Sequence, residues 1–171
     1  SVTVLESYAF KGCTNLVNVS LPETLTKIDT AVFSGCSSLE DIIIPESVIF
    51  VGSGAFNFCD KLKYKELNGG KYIGNSTNPY RVYIDPIDET ATDIEISGNA
   101  RVVAGGIFQN NKTVKNVVIN NGITHLGEAV FYNASVLESV SLPDTLEVIE
   151  GHAFRSAKKI TSIEIPESVT F

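Results

Sequence analysis

The chain has 171 residues, 43% of them hydrophobic, with 13 basic and 20 acidic side chains and a net charge of −7. An acidic surface without a basic patch disfavours nucleic acid and anionic membranes as partners. No run approaches the roughly 20 apolar residues that a membrane-spanning helix needs. The opening stretch, Val2-x-x-Leu5, reads as the middle of a unit that recurs down the chain. Phe10, Phe33 and Phe56 lie 23 residues apart, and so do Phe108, Phe131 and Phe154. Cys13, Cys36 and Cys59 keep the same period, as do Leu16, Leu39 and Leu62, Pro22 and Pro45, and Pro143 and Pro166. A fixed period of this size is the mark of a stacked repeat.

Aligned on phenylalanine, one unit reads I/L-x-x-I/V-x-x-x-A/V-F-x-x-C/A-x-x-L-x-x-V/I-x-L/I-P. Its closing piece alternates: Val19 and Leu21 face one way, Asn18 and Ser20 the other. Period two predicts a half-buried strand, which proline ends because it has no N–H to donate. The stretch before phenylalanine is too short and too interrupted for a standard helix and reads as a 3₁₀ turn or irregular arc. One such coil cannot bury its own apolar residues, whereas stacked coils bury Phe on Phe and Leu on Leu. The expected fold is a solenoid with a parallel β-sheet on one face and irregular or 3₁₀ returns on the other.

Between Phe56 and Phe108 the period is broken by 29 extra residues. Removing Lys65–Asp93 joins Tyr64 to Ile94 and restores the strand pattern, so the surplus is in register with whole coils. Within it, Lys71-Tyr72-Ile73-Gly74 and Tyr80-Arg81-Val82-Tyr83-Ile84 flank the turn cluster Asn75-Ser76-Thr77-Asn78-Pro79, which predicts a β-hairpin. Two geometries fit. In the favoured one, Leu62–Leu67 and Thr92–Ile96 are both sheet strands joined by an enlarged coil; in the other, a single coil extrudes a long hairpin. Lys65 argues against the first, because it would face inward beside Leu62 and Leu67.

After the insert the units resume, with Asn111, Ala134 and Ala157 in the cysteine position. The chain stops at Ser168-Val169-Thr170-Phe171, where a further coil would begin. The domain expectation is therefore a single solenoid over 1–171, cut from a longer array.

Chemistry-bearing motifs are scarce. The cysteine column reads as buried free thiols, since parallel Cβ vectors suit a disulfide poorly and no histidine joins it as a metal ligand. His125 and His152 occupy different places in adjacent coils and read as exposed arc residues. No nucleophile elbow, EF-hand, P-loop or dinucleotide glycine pattern occurs, so no catalytic residue, metal or cofactor is expected. Of four Asn-x-Ser/Thr triplets, Asn75 is the best placed glycan acceptor, Asn111 the worst, and Asn18 and Asn133 complete the set.

The exposed strand face is the expected binding surface. One column reads Asn18, Asp41, Tyr64, Asp93, Asn116, Ser139, Ser162; its neighbour reads Ser20, Ile43, Glu66, Glu95, Val118, Ser141, Glu164. The candidate contacts are Asp41, Ile43, Tyr64, Glu66, Asp93, Glu95, Asn116 and Val118. Glu66, Asp93 and Glu95 would form an acidic docking patch for a basic partner, with Tyr64 as its aromatic anchor. A plain solvated sheet face is the competing reading.

The units resemble the BspA-like leucine-rich repeat family. The resemblance rests on Ala9-Phe10-Lys11-Gly12-Cys13, Phe33-Ser34-Gly35-Cys36-Ser37-Ser38-Leu39 and Ile42-Ile43-Ile44-Pro45-Glu46-Ser47-Val48. It implies a right-handed solenoid from a secreted or cell-surface protein, used for adhesion to or binding of a protein, a host or matrix protein among the candidates. It carries no catalytic motif over. A passive spacer and a binding module appended to a secreted enzyme are the alternative functions.

Overall fold

A computed structural model describes residues 1–170; Phe171, the last residue of the stretch where a further coil is expected, lies outside the described residues. The strands are β1 (Val4–Leu5), β2 (Asn18–Val19), β3 (Lys27–Ile28), β4 (Asp41–Ile42), β5 (Phe50–Val51), β6 (Lys65–Leu67), β7 (Gly70–Ile73), β8 (Val82–Pro86), β9 (Asp93–Ile96), β10 (Val102–Val103), β11 (Asn116–Ile119), β12 (His125–Leu126), β13 (Ser139–Ser141) and β14 (Val148–Ile149). No helix occurs among the described residues.

The alternating pieces form the parallel ladders β2-β4 and β9-β11-β13, with Asn18 beside Asp41 and Asp93, Asn116 and Ser139 in line. The returns are more regular than the sequence indicates. Instead of a 3₁₀ arc, each carries a two-residue strand. These make a second set of parallel ladders, β1-β3-β5 and β8-β10-β12-β14. Two residues are too few for a period-two signal, which is why the ladder is silent in the sequence. The proline corners are tied from coil to coil by hydroxyls. Thr24, Ser47, Thr145 and Ser168 each donate to a carbonyl of the preceding coil, at 2.6–2.8 Å.

Phenylalanine stacks as its period implies. Ring centroids of Phe10, Phe33 and Phe56 are 5.4 and 5.6 Å apart. Those of Phe108, Phe131 and Phe154 are 5.3 Å apart at each step. Phe56 and Phe108 do not continue one another; Tyr83 takes the next place below Phe108, at 6.5 Å.

The insert explains that break, and it matches neither geometry outright. Asp93–Ile96 joins the parallel ladder as expected, but Lys65–Leu67 does not. The chain leaves the column directly after Tyr64, at the first residue that would have buried an ammonium group. Lys65 is exposed as a result. β6 turns back through Asn68-Gly69, both with positive φ (47° and 75°), the conformation of a tight hairpin turn. β7 then pairs antiparallel with β6 on one edge and with β8 on the other. The hairpin is not extruded into solvent. It forms a partition through the solenoid, with both of its faces buried. Tyr72 and Tyr83 pack into the core of the later coils, and Ile73 and Val82 into the core of the earlier ones. Gly70 admits no side chain here, because a Cβ would lie 2.5 Å from the Tyr83 ring.

The loop between β7 and β8 supplies the corner that the departed strand would have made. Gly74 O accepts the Ile44 N–H, and the Asn75 amide donates to Ile44 O. Arg81, 5% exposed, donates to Val48 O and Glu46 O and pairs with the Glu46 carboxylate. Its bond to Val48 O fills the place that Ser47 fills on Leu25 O, so a guanidinium stands in for a hydroxyl.

Candidate functional site

The strand face is presented in two parts. In the first, Asp41 and Ile43 are exposed, Ile43 to 62%. In the second, Asp93, Glu95 and Val118 are exposed and Asn116 is half-buried. A side-chain ladder runs along this second part. Asn116 Nδ2 donates to Asp93 Oδ1 at 2.7 Å, and Ser139 Oγ donates to Asn116 Oδ1 at 2.7 Å. Glu95 accepts from Asn120 Nδ2 at 2.8 Å. Hydrogen bonds from Thr92 and Asn116 hold the Asp93 carboxyl below the usual carboxylate range, so it is anionic at neutral pH.

Two candidates stand elsewhere. Tyr64 is half-buried against the core of the earlier coils, and burial pushes its phenol well above the usual value. Glu66 lies on β6, opposite Lys71, outside the parallel ladder. The departure of the chain at Lys65 removes both from the face on which strict repetition would put them.

Where the partition separates Phe56 from Phe108, a cleft of about 820 Å³ opens between the corners Gly54–Asp60 and Gly106–Asn110. It does not run the full height of the coils. Gly105 N–H donates to Val51 O at 2.8 Å, so the two halves meet again beneath it. Ile84 and Asp85, consecutive residues of β8, both line the cleft. They can do so because the pairing of β7 with β8 slips between Lys71 and Tyr72, a bulge that breaks the alternation. Burial raises the Asp85 carboxyl above its usual value, with Lys71 opposing and Glu89 adding to the shift.

A feature absent from the sequence reading is a column of left-handed residues two places after each phenylalanine. It comprises Gly12, Gly35, Phe58, Asn110, Asn133 and Ser156, with φ between 54° and 77°. The signal was present in the glycines and asparagines at that step of the repeat. Ser156 and Phe58 depart from those two residue types, and Phe58 puts a bulky ring where the backbone favours glycine or asparagine, 74% exposed.

The thiols are free: Cys36 and Cys59 buried, Cys13 exposed. They do not bond one another. Cys36 Sγ donates to Phe10 O at 3.2 Å and Cys59 Sγ to Phe33 O at 3.1 Å. Burial pushes the Cys59 thiol up to about 11. At pH 8 a thiol reagent is expected to label Cys13 rapidly, and Cys36 and Cys59 only on unfolding; mass spectrometry of timed samples checks it. Because the folded value lies above the unfolded one, the protonated Cys59 contributes fully below about pH 8.5 and is lost as pH rises through 11. His125 is half-buried, with Nδ1 2.8 Å from Thr124 Oγ1, while His152 is exposed. Asn75 is a poorer glycan acceptor than its turn suggests, since its amide also holds Glu46. Among the described residues no group of three or more His, Cys, Asp or Glu is placed to hold a metal ion. Among the described residues no helix is long and apolar enough to cross a membrane.

With coils, ladders and stacked rings in place, comparison with known families is decisive. The BspA type leucine rich repeat region matches residues 1–78 and 88–171 in six copies. The chain belongs to that family. The gap in the match falls at 79–87, inside the insert, around β8, which pairs antiparallel with β7 in the partition as well as parallel with β10 in the ladder. A leucine-rich cell surface protein from Faecalibacterium prausnitzii A2-165 shares the fold with a TM-score of 0.58 at 17% identity, over 99% of this chain and 59% of its own. The pneumococcal vaccine antigen PcpA does so with a TM-score of 0.57 at 22% identity, over 98% of this chain and 44% of its own. The chain thus spans about half the length of these two proteins. No curated relative matches the chain.

Proposed function

We propose that the chain is a non-catalytic protein-binding module of a cell-surface or secreted protein, acting through the exposed strand face and the hairpin insert. The observation that carries this is apolar exposure on an otherwise polar ladder. Ile43 is 62% and Val118 44% exposed, among Asp41, Asp93 and Glu95. A sheet kept only for support gains nothing from aliphatic side chains held in water, whereas apolar centres within polar rims are the usual make-up of contact surfaces. Family membership and the cell-surface description of the Faecalibacterium protein support the same reading.

The test is a binding screen of the chain against purified extracellular-matrix proteins, repeated with Ile43→Arg and Val118→Arg. Both side chains face solvent, so the variants should fold unchanged by circular dichroism. Loss of affinity by about tenfold or more is expected for a contact at the centre of an interface. Binding that both variants retain would remove the strand face as the contact. A chain that holds none of the panel would leave a spacer as the better description.

A further inference from the structure

The cleft beside the insert has features that neither the repeat nor the strand face requires. A solenoid gains stability by closing its aromatic stack, yet here the stack is open between Phe56 and Phe108. Phe58 adds an unfavourable backbone conformation at the edge of that opening, with φ of 59° and its ring mostly in water. The same column is filled by glycine in the two preceding coils. Tyr8 and His152 share this conformation in other coils, so what sets Phe58 apart is the place of its ring in the lining of the cleft. The β8 bulge turns Ile84 and Asp85 together into the cleft. The charged residues of the lining are Asp60, Asp85 and Glu89 against Lys71.

An exposed aromatic ring, an aliphatic wall and an excess of carboxylates select one chemistry. A guanidinium can stack on a ring face while its N–H fork binds a carboxylate, and its methylenes lie along apolar surface. We propose that this cleft is a second binding site, and that it takes an arginine-bearing segment of a partner protein, with Phe58 as aromatic anchor and Asp85 as charge partner. The partly buried Asp85 carboxyl has no hydrogen bond or ion pair from a side chain of the described residues, and a bound guanidinium would return its pKa toward the ordinary range. The site rests on the reading of the chain as a protein-binding module, but it lies apart from Ile43 and Val118 on the strand face.

The experiment uses the whole chain with labelled Ile and Val methyl groups. The probes are the capped peptides acetyl-Leu-Arg-Leu-amide and acetyl-Leu-Glu-Leu-amide. The arginine peptide should shift the Ile84 and Ile107 methyl signals while leaving Ile43 and Val118 in place; the glutamate peptide should shift neither pair. Phe58→Gly should weaken the response by about tenfold or more and leave the thermal midpoint at least as high, because glycine suits the left-handed backbone. Asp85→Asn should weaken it without loss of fold. The proposal is overturned if Ile84 and Ile107 do not move, if both variants respond as the parent does, or if the two peptides act alike. Shifts at Ile43 and Val118 alone would also overturn it, and would leave the strand-face reading standing.

Discussion

Phe131→Ala is expected to destabilise the chain by roughly 3–5 kcal/mol, the range for truncating a large aromatic residue in a core. Phe131 is fully buried. Its ring lies 5.3 Å from both Phe108 and Phe154, at interplanar angles of 2° and 19°. The loss has two parts, the transfer of the side chain itself and the void left between two flat neighbours. Aromatic pairing adds about 0.5–1.5 kcal/mol per contact beyond burial, and two contacts vanish together. Position in the array sharpens the expectation. Each coil of a solenoid is stabilised by its neighbours only, so an interior ring counts twice and a terminal one once. Phe10 sits in the first coil, is half-buried and, among the described residues, stacks on the Phe33 ring alone, so Phe10→Ala should cost distinctly less. Urea unfolding of the two variants beside the parent measures both. A loss below about 1 kcal/mol for Phe131→Ala, or equal losses for the two, would count against nearest-neighbour stacking as the source of stability.

The repeat was legible because stacking forces equal chemistry at equal steps. Phe33 must meet Phe56, and Val117 must meet Ile94 and Val140, so the period and the register are both written in the residues. The alternation around Asn116 likewise placed Asp93 and Ser139 beside it, as the ladder shows. What repetition does not carry was harder to read. Tyr72 and Ile73 are adjacent and both buried. Adjacent buried residues in a strand imply a core on each side, and a hairpin read by itself gives no sign that a second core exists. Lys65 gave the one local warning, and the chain obeys it by leaving the column. Arg81 gave none, since a basic residue in a β-rich run reads as a surface charge until the carbonyls of Glu46 and Val48 are seen beneath it. Columns extended across the break put Tyr64 and Glu66 on the strand face, but strict repetition does not hold there.

Deleting Lys65–Asp93, so that Tyr64 is followed by Ile94, is expected to yield a shorter solenoid that still unfolds cooperatively. The cost is plain: Tyr72, Ile73, Val82 and Tyr83 leave the core, and Arg81 leaves the corner over Val48. The compensation is that every column closes. The stretch Ile94-Glu95-Ile96 would lie beside Ile42-Ile43-Ile44, in the register it already keeps with Val117-Val118-Ile119. Asn99 would reach the step of the repeat that Ser47 occupies, where a side-chain donor is needed for Val48 O. Phe108 would meet Phe56, and the two halves already touch through Gly105 and Val51, so closure extends an existing contact. A deletion longer or shorter by one residue should fail, because it turns Ile94 and Ile96 outward and Glu95 inward. Circular dichroism with thermal unfolding separates the outcomes. If the one-residue variants unfold as well as the in-register one, strand register is not what holds the array together. If the in-register variant fails, the partition is a coil that its neighbours require. The shortened chain is further expected to lose binding to any matrix protein that the parent chain holds, since the insert supplies Glu66, Asp93 and the Lys71, Ile84, Asp85 and Glu89 wall of the cleft. Unchanged binding would move the contact to Asp41, Ile43, Asn116 and Val118, which the deletion leaves in place.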